Sequence, residues 1–291
     1  ISGGNIATAQ AVIADITGPE DRAKGMGIIG AAFGLGFIVG PAVAALLVDI
    51  QPWLPGVAAA ATSTVAFLLV FFKLPETLPA EARTASRQHP LSPASLRQTI
   101  GLHPLLVLCF ATVLLVIFAF SNFETTFAQF AKAEHGLGMS RIGWLFVYAG
   151  VLGAVVQGGM VGRLVKVFGE QKVLVTGLVF AAMSVAVLPY PTTIGGLLAV
   201  LGVYALGQGL VSPTLSSLTT KLVQPDEVGG VLGIYQALSS LARIGGPIWA
   251  EIAFHQGSAW PFRSAAVAYL LALGVAFVVV GRLTRTPESA S

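Results

Sequence analysis

The sequence has 291 residues, 55% of them hydrophobic and only 10% charged, with a formal net charge of +3. Soluble domains carry about 25% charged residues, so a water-facing globule of this composition would expose large apolar patches. What remains is an α-helical membrane chain, and with no Lys/Arg stripe interleaved with aromatics a nucleic-acid partner is excluded.

A hydrocarbon core about 30 Å thick needs roughly 20 apolar residues in a helix. Nine runs meet that need, over residues 1–17, 25–49, 55–74, 104–131, 142–167, 171–190, 194–220, 230–254 and 262–283. The first is short. The connections carry turn chemistry, as in Gly18-Pro19-Glu20-Asp21, Gln51-Pro52-Trp53 and Gln224-Pro225-Asp226. Pro followed by acids suits a helix start, because Pro fits the first helical position and carboxylates favour the positive end of the helix dipole. Glu20, Asp21, Asp226 and Glu227 therefore read as caps. One connection is long, from 75 to 103. It is rich in Pro, Ser and Ala, with Ser92-Pro93 placed to cap a short surface helix, and it reads as a linker between two bundles, 1–74 and 104–291.

Lys and Arg set the orientation. With the linker in the cytoplasm, that side holds Arg22, Lys24, Lys73, Arg83, Arg87, Arg97, Arg163, Lys166, Lys172, Lys221, Arg282 and Arg285; the other holds Lys132, Arg141 and Arg263, and Arg243 falls mid-membrane. The linker and C-terminus are thus expected inside a cytoplasmic (inner) membrane crossed many times. In a Cys109→Ser background, Ser92→Cys should resist an impermeant maleimide on intact cells and react after lysis; labelling of intact cells would invert the topology.

The chain also repeats itself. A shift of 206 residues lays Pro19 on Pro225, Glu20 on Asp226, Asp21 on Glu227, Gly27-Ile28 on Gly233-Ile234, Gly40-Pro41 on Gly246-Pro247 and Pro55 on Pro261, without a gap. The matched helices cross in the same direction, the arrangement of transporters whose halves are parallel repeats. The second copy has three helices ahead of the partner of residue 1, so three further helices are expected to precede Ile1, giving two six-helix bundles.

The stretch Ala14-Asp15-Ile16-Thr17-Gly18-Pro19-Glu20-Asp21-Arg22-Ala23 resembles the loop between helices four and five of major facilitator transporters, nearest the tetracycline/proton and multidrug/proton antiporters. Gly36-Phe37-Ile38-Val39-Gly40-Pro41 is similar to the helix-five antiporter motif of that branch, although Ala44-Ala45 stand where it usually continues to a Gly pair. Gly162-Arg163-Leu164 with Gly169 resembles the second, degenerate copy of the family's loop motif, with Lys166 and Val167 in place of an acid and an Arg. The resemblance spans the chain. It implies a secondary transporter working by alternating access, probed first as proton-coupled efflux of a drug or metabolite. It also implies that Asp15 forms a gating charge pair, the alternative being a capping or interface acid. Gly36, Gly40 and Pro41 would form the antiporter-type motif.

A charge inside a membrane helix is costly unless paired or wet, so each one is a functional candidate. On a helical wheel Glu124 shares a polar arc with Ser121, Asn122, Thr125, Thr126 and Gln129, opposite Phe120, Phe123, Phe127 and Phe130. This face suits an aqueous cavity, with Glu124 as a proton-coupling or substrate-contacting acid; the alternative is a solvated acid at the outer mouth. Arg243 lies mid-helix with Gln236, Ser239 and Ser240 on its face, and its charge cannot be neutralised. It needs an acid such as Glu251, a carbonyl, water or an anionic ligand. Tyr204, Gln208 and Ser212 recur on one face, as do Asn5 and Thr8, and either set could line the cavity or simply pack. Gly36/Gly40, Gly158/Gly162 and Gly229/Gly233 have the spacing of close helix contacts.

His89, His103, His135 and His255 are scattered and Cys109 is alone, so no metal, disulfide, cofactor or enzymatic cluster is expected. The expected partners are a small-molecule substrate, protons and the lipid bilayer around a monomer. An importer or facilitator of a small metabolite is the alternative within transport, and a transport-dead sensor the alternative outside it.

Overall fold

The computed structural model describes residue 9, residues 12–13, 22–74, 104–223 and 228–283. Asn5, Asp15, the 75–103 linker with its Ser92-Pro93 cap, and the acids Glu20, Asp21, Asp226 and Glu227 lie outside them. Every described element is helical. Six described helices are long and apolar enough to cross a membrane. The chain divides into two compact units, Ile1–His89 with Gly138–Val147, and Pro90–Leu137 with Tyr148–Ser291.

The first unit contains α1 (Arg22–Leu47) and α2 (Leu54–Lys73). Pro41 sits inside α1 and removes one backbone donor. Proline occupies the first turn of α2, where its missing N–H costs nothing. No residue of α2 is buried, and Phe67, Phe71 and Phe72 form an exposed aromatic run, as lipid solvation permits. The opening turns of α4 (Met139–Val155) also belong here. At Gly143 a Cβ would stand 2.7 Å from the Ala45 Cβ and 3.1 Å from the Pro41 carbonyl oxygen, so α1 and the start of α4 meet backbone against backbone.

The second unit is built around α3 (Pro104–His135). It packs along α8 (Val228–Gln256) and α9 (Trp260–Leu283), and more lightly on α7 (Ile194–Lys221). α6 (Glu170–Val187) lies against α7 and α9. α3 ends at Gly136, whose φ of +60° suits glycine, and α5 (Val161–Phe168) stops at Gly169, φ +83°. The core is aromatic: Phe127, Phe130, Phe262 and Tyr269 are fully buried, and the Phe130 and Phe262 rings meet edge to face at 5.0 Å. Thr112, Thr126, Ser184, Thr214, Thr219 and Ser239 each donate to the carbonyl four residues back, satisfying their hydroxyls within their own helix.

Two features of these helices go beyond the sequence reading. The run 142–167 lies in one membrane-length span, Met139–Phe168, and between α4 and α5 it contains a π-helical turn, Val156–Met160, with a wide loop of backbone at Gly158 and Gly159. Among the described residues the pairs Gly36/Gly40 and Gly158/Gly162 make no close contact. A Cβ at Gly36, Gly40, Gly158, Gly162 or Gly233 would meet no atom of the described residues within 4 Å. Helices instead touch at glycines outside that pattern. A Cβ on Gly207 would lie 2.7 Å from the Ala181 nitrogen and 2.8 Å from the Gly177 oxygen; one on Gly246 would lie 2.6 Å from the Ser121 Cβ. The repeat is visible at a helix boundary: α2 starts at 54 and α9 starts 206 residues later, at 260. Both α1 and α8 carry an internal proline, Pro41 and Pro247.

Candidate transport site

The polar arc of α3 divides between two environments. Asn122, Ser121 and Thr126 are buried, and Asn122 Nδ2 donates to the Phe118 carbonyl at 2.9 Å while its Oδ1 has no partner among the described residues. Glu124 and Gln129 are turned outward along α8. Phe123 and Phe127, on the other arc, pack into the core of the unit, so aromatic burial fixes the rotation of α3 and thereby the direction of Glu124.

Glu124 and Arg243, candidates on separate grounds, form one pair. The Arg243 Nη1 lies 3.8 Å from the Glu124 Oε2, and the two side chains keep 50% and 39% of their exposure. That is ionic contact without a hydrogen bond. The guanidinium also sits 5.9 Å from the centroid of the Phe120 ring. Glu251 takes no part: its carboxylate accepts a hydrogen bond from Gln129 Nε2 at 3.1 Å and faces His255 Nε2 at 3.7 Å. Toward the ends of the helices Ser258 Oγ donates to Glu134 at 2.6 Å, so a second contact ties α3 to the turn after α8.

The remaining candidates are placed as follows. Tyr204 is only 2% exposed; its hydroxyl meets that of Tyr269 at 3.1 Å and its ring lies 4.3 Å from Phe123, within electrostatic reach of Glu124. Gln208 is half-buried with its Oε1 unpartnered among the described residues. Gln236 is half-buried one turn before Ser240, whose hydroxyl donates to its carbonyl. Gly36 and Gly40 are exposed, and Pro41 contributes its carbonyl to the contact with Gly143. Sequence reading missed Tyr269 altogether; its signal was a lone phenol amid apolar residues, which in a bilayer must find a partner. It also missed Glu170, which accepts from Ser217 and Lys221, each at 2.7 Å, and so joins the start of α6 to the end of α7.

A titratable acid and a permanent cation thus face each other at mid-helix on neighbouring helices, one of them long and apolar enough to cross a membrane. The profile of the Major Facilitator Superfamily matches residues 1–247 and again 109–290, nearly the whole chain.

This chain belongs to the major facilitator superfamily.

Its relatives agree with the fold. Multidrug resistance protein 2 of Bacillus subtilis (strain 168) is 28% identical over 276 residues, covering 92% of this chain and 67% of that protein. The class D tetracycline resistance protein of Salmonella ordonez is 27% identical, over 94% of this chain and 70% of its own length. The crystal structure of the human organic anion transporter MFSD10 (TETRAN) superposes with a TM-score of 0.68 at 26% identity, over 95% of this chain and 68% of that one. The chain thus spans about two thirds of the length of these relatives. It is a multi-pass membrane protein with the family and fold of transporters, not of enzymes.

Proposed function

We propose that this facilitator-superfamily transporter moves small amphipathic compounds across the cytoplasmic membrane by alternating access, coupled to protons through Glu124. The observation that carries this reading is the position of Glu124: an acid within the body of an apolar helix, half-exposed on a polar face, with an ionic partner, Arg243, on the adjacent helix. A ligand can drive a transition only by binding the two access states unequally, and a proton does so where an acid changes its surroundings between them. The resistance proteins among the relatives support export as the direction. The Lys/Arg asymmetry supports a cytoplasmic linker and C-terminus.

The test uses full-length protein in proteoliposomes, with tetracycline as the first probe because a relative is named for it. An imposed pH gradient should drive tetracycline movement against its own gradient, and a protonophore should abolish it. Passive equilibration that ignores the pH gradient would rule out coupling. A second reading, uptake of an anionic metabolite, is favoured by one feature, the 3.8 Å separation of Arg243 from the Glu124 carboxylate, beyond hydrogen-bond length.

A further inference from the structure

The short helix α5 has two faces. Val161, Leu164 and Val165, spaced i, i+3 and i+4, pack with Val156, Val173 and Leu210 and so fix its rotation. Arg163, Lys166 and Val167 carry the same spacing on the other side, and all three are exposed. Val167 keeps 73% of its exposure and the next residue, Phe168, keeps 55%. Cations and large apolar side chains therefore stand together at the end of this helix. Across the turn at Gly169, Lys172 is exposed in the first turn of α6.

The charge at this end is one-sided. α5 closes the membrane-length span Met139–Phe168, α6 is the span Glu170–Val187 and α7 the span Ile194–Lys221. Lys221 Nζ lies 2.7 Å from the Glu170 carboxylate, so the end of α7 meets the start of α6. That contact also neutralises Glu170, the only acid within residues 156–172 and 214–221. Arg163, Lys166 and Lys172 have no ion-pair partner among the described residues. An inorganic anion would satisfy these cations but has no use for Val167 and Phe168. A wholly apolar partner would leave the cations unmatched. A ligand with a phosphate at one end and hydrocarbon at the other meets both, and the end of a membrane span is where a bilayer presents one.

We propose that Arg163, Lys166 and Lys172 form a seat for the phosphate of an anionic phospholipid, with its acyl chains against Val167 and Phe168. The cations contribute differently. The fork of Arg163 matches two phosphate oxygens at once, whereas Lys166 and Lys172 act as point charges. A zwitterionic headgroup adds a cation that all three repel, so the seat selects by headgroup charge and not by chain. A lipid held this way links α5 to α6 across Gly169. Orientation of a membrane protein by its basic residues needs neither a particular lipid nor apolar neighbours, so selective binding is a separate property. The seat uses neither Glu124 nor Arg243, and it stands or falls independently of the proton coupling proposed for them.

The experiment titrates full-length protein in a neutral detergent with dioleoyl phosphatidylglycerol or dioleoyl phosphatidylcholine, which share their chains, and follows bound lipid by native mass spectrometry. The first phosphatidylglycerol should bind about tenfold or more tightly than the first phosphatidylcholine. Arg163→Gln combined with Lys166→Gln should lose about fivefold of phosphatidylglycerol affinity per cation removed and leave phosphatidylcholine unchanged. Lys172→Gln, on α6, should give a loss of the same size as one of those cations. Lys132→Gln removes equal charge near the opposite helix ends, where Glu134 meets Ser258, and should change neither lipid. All four side chains are exposed, so the variants should fold. Equal binding of the two lipids by the wild-type protein, an unchanged preference in the double variant and in Lys172→Gln, or an equal loss in Lys132→Gln would each overturn the seat. An excess of inorganic phosphate should leave the lipid bound; displacement would mean a small-anion site and overturn the lipid as its occupant.

Discussion

Glu124→Gln is expected to abolish proton movement coupled to substrate while leaving the protein folded. Glutamine keeps the shape and a hydrogen-bonding oxygen but has no proton to gain or lose. Without a group whose protonation differs between the access states, a pH gradient has nothing to act on, however well the substrate still binds. Folding should survive because glutamine keeps the side chain's shape and the contact it replaces, 3.8 Å from Arg243, is longer than a hydrogen bond. The measurement is proton flux on addition of tetracycline to proteoliposomes. The expected value in the variant is background, with substrate exchange across the vesicle wall still present and a melting temperature within a few degrees of wild type. Coupling at the wild-type level would remove Glu124 from the mechanism.

The largest effect on folding is expected at Gly207. A Cβ there would stand 2.7 and 2.8 Å from backbone atoms of α6, the Ala181 nitrogen and the Gly177 oxygen, with the Phe180 Cβ at 3.1 Å. Backbone cannot swing aside as a side chain can, so α6 and α7 must separate along their contact. Overpacking costs about 1–3 kcal/mol even where side chains can adjust. Gly207→Ala should fall at the upper end of that range or beyond, and Gly207→Val should leave little protein in the monodisperse peak after detergent extraction. Gly233→Ala supplies the contrast, since its Cβ meets no atom of the described residues within 4 Å and alanine is the better helix former by about 1 kcal/mol. It should extract as wild type or better. Equal loss in Gly233→Ala and Gly207→Val would mean that the α6–α7 approach is not what the glycine serves.

These two sites differ in how far they could be read beforehand. Helices were legible because a bilayer leaves only a few ways to satisfy the backbone, and apolar run length then sets their number and bounds. The 206-residue repeat was legible for a similar reason: prolines and glycines at helix starts and kinks leave fixed marks, and α1 with α8 and α2 with α9 carry them at the same spacing. The pairing of Glu124 with Arg243 was not read, although its signal was present. The two residues lie eleven and thirteen positions before the ends of α3 and α8, helices that cross in the same direction, so they share a depth. What the sequence does not carry is which helices are neighbours. The wheel that grouped Asn122 with Glu124 treated a broad arc as one environment, whereas the packing of Phe123 and Phe127 divides it and leaves Asn122 inside. Glycine spacing misled for a related reason. The motif says that a close approach is permitted, and only the partner's surface decides whether one occurs, as at Gly207 and Gly246 but not at Gly158 and Gly162.

The π-helical turn at Val156–Met160 has a further meaning for the second unit. A π turn holds about one residue more than an α turn, and one residue corresponds to about 100° of rotation about the axis. What lies before and after it is therefore indexed in two different frames on what is otherwise one rod. Val156 stays seated against Gly209 on α7, while the amphipathic segment beyond is turned so that Val161 faces inward and Arg163, Lys166 and Val167 face outward. A regular helix through the same residues would set that terminal segment a quarter turn or more away. One surplus residue therefore decides which side chains of that segment face outward, independently of how the rest of the helix is packed.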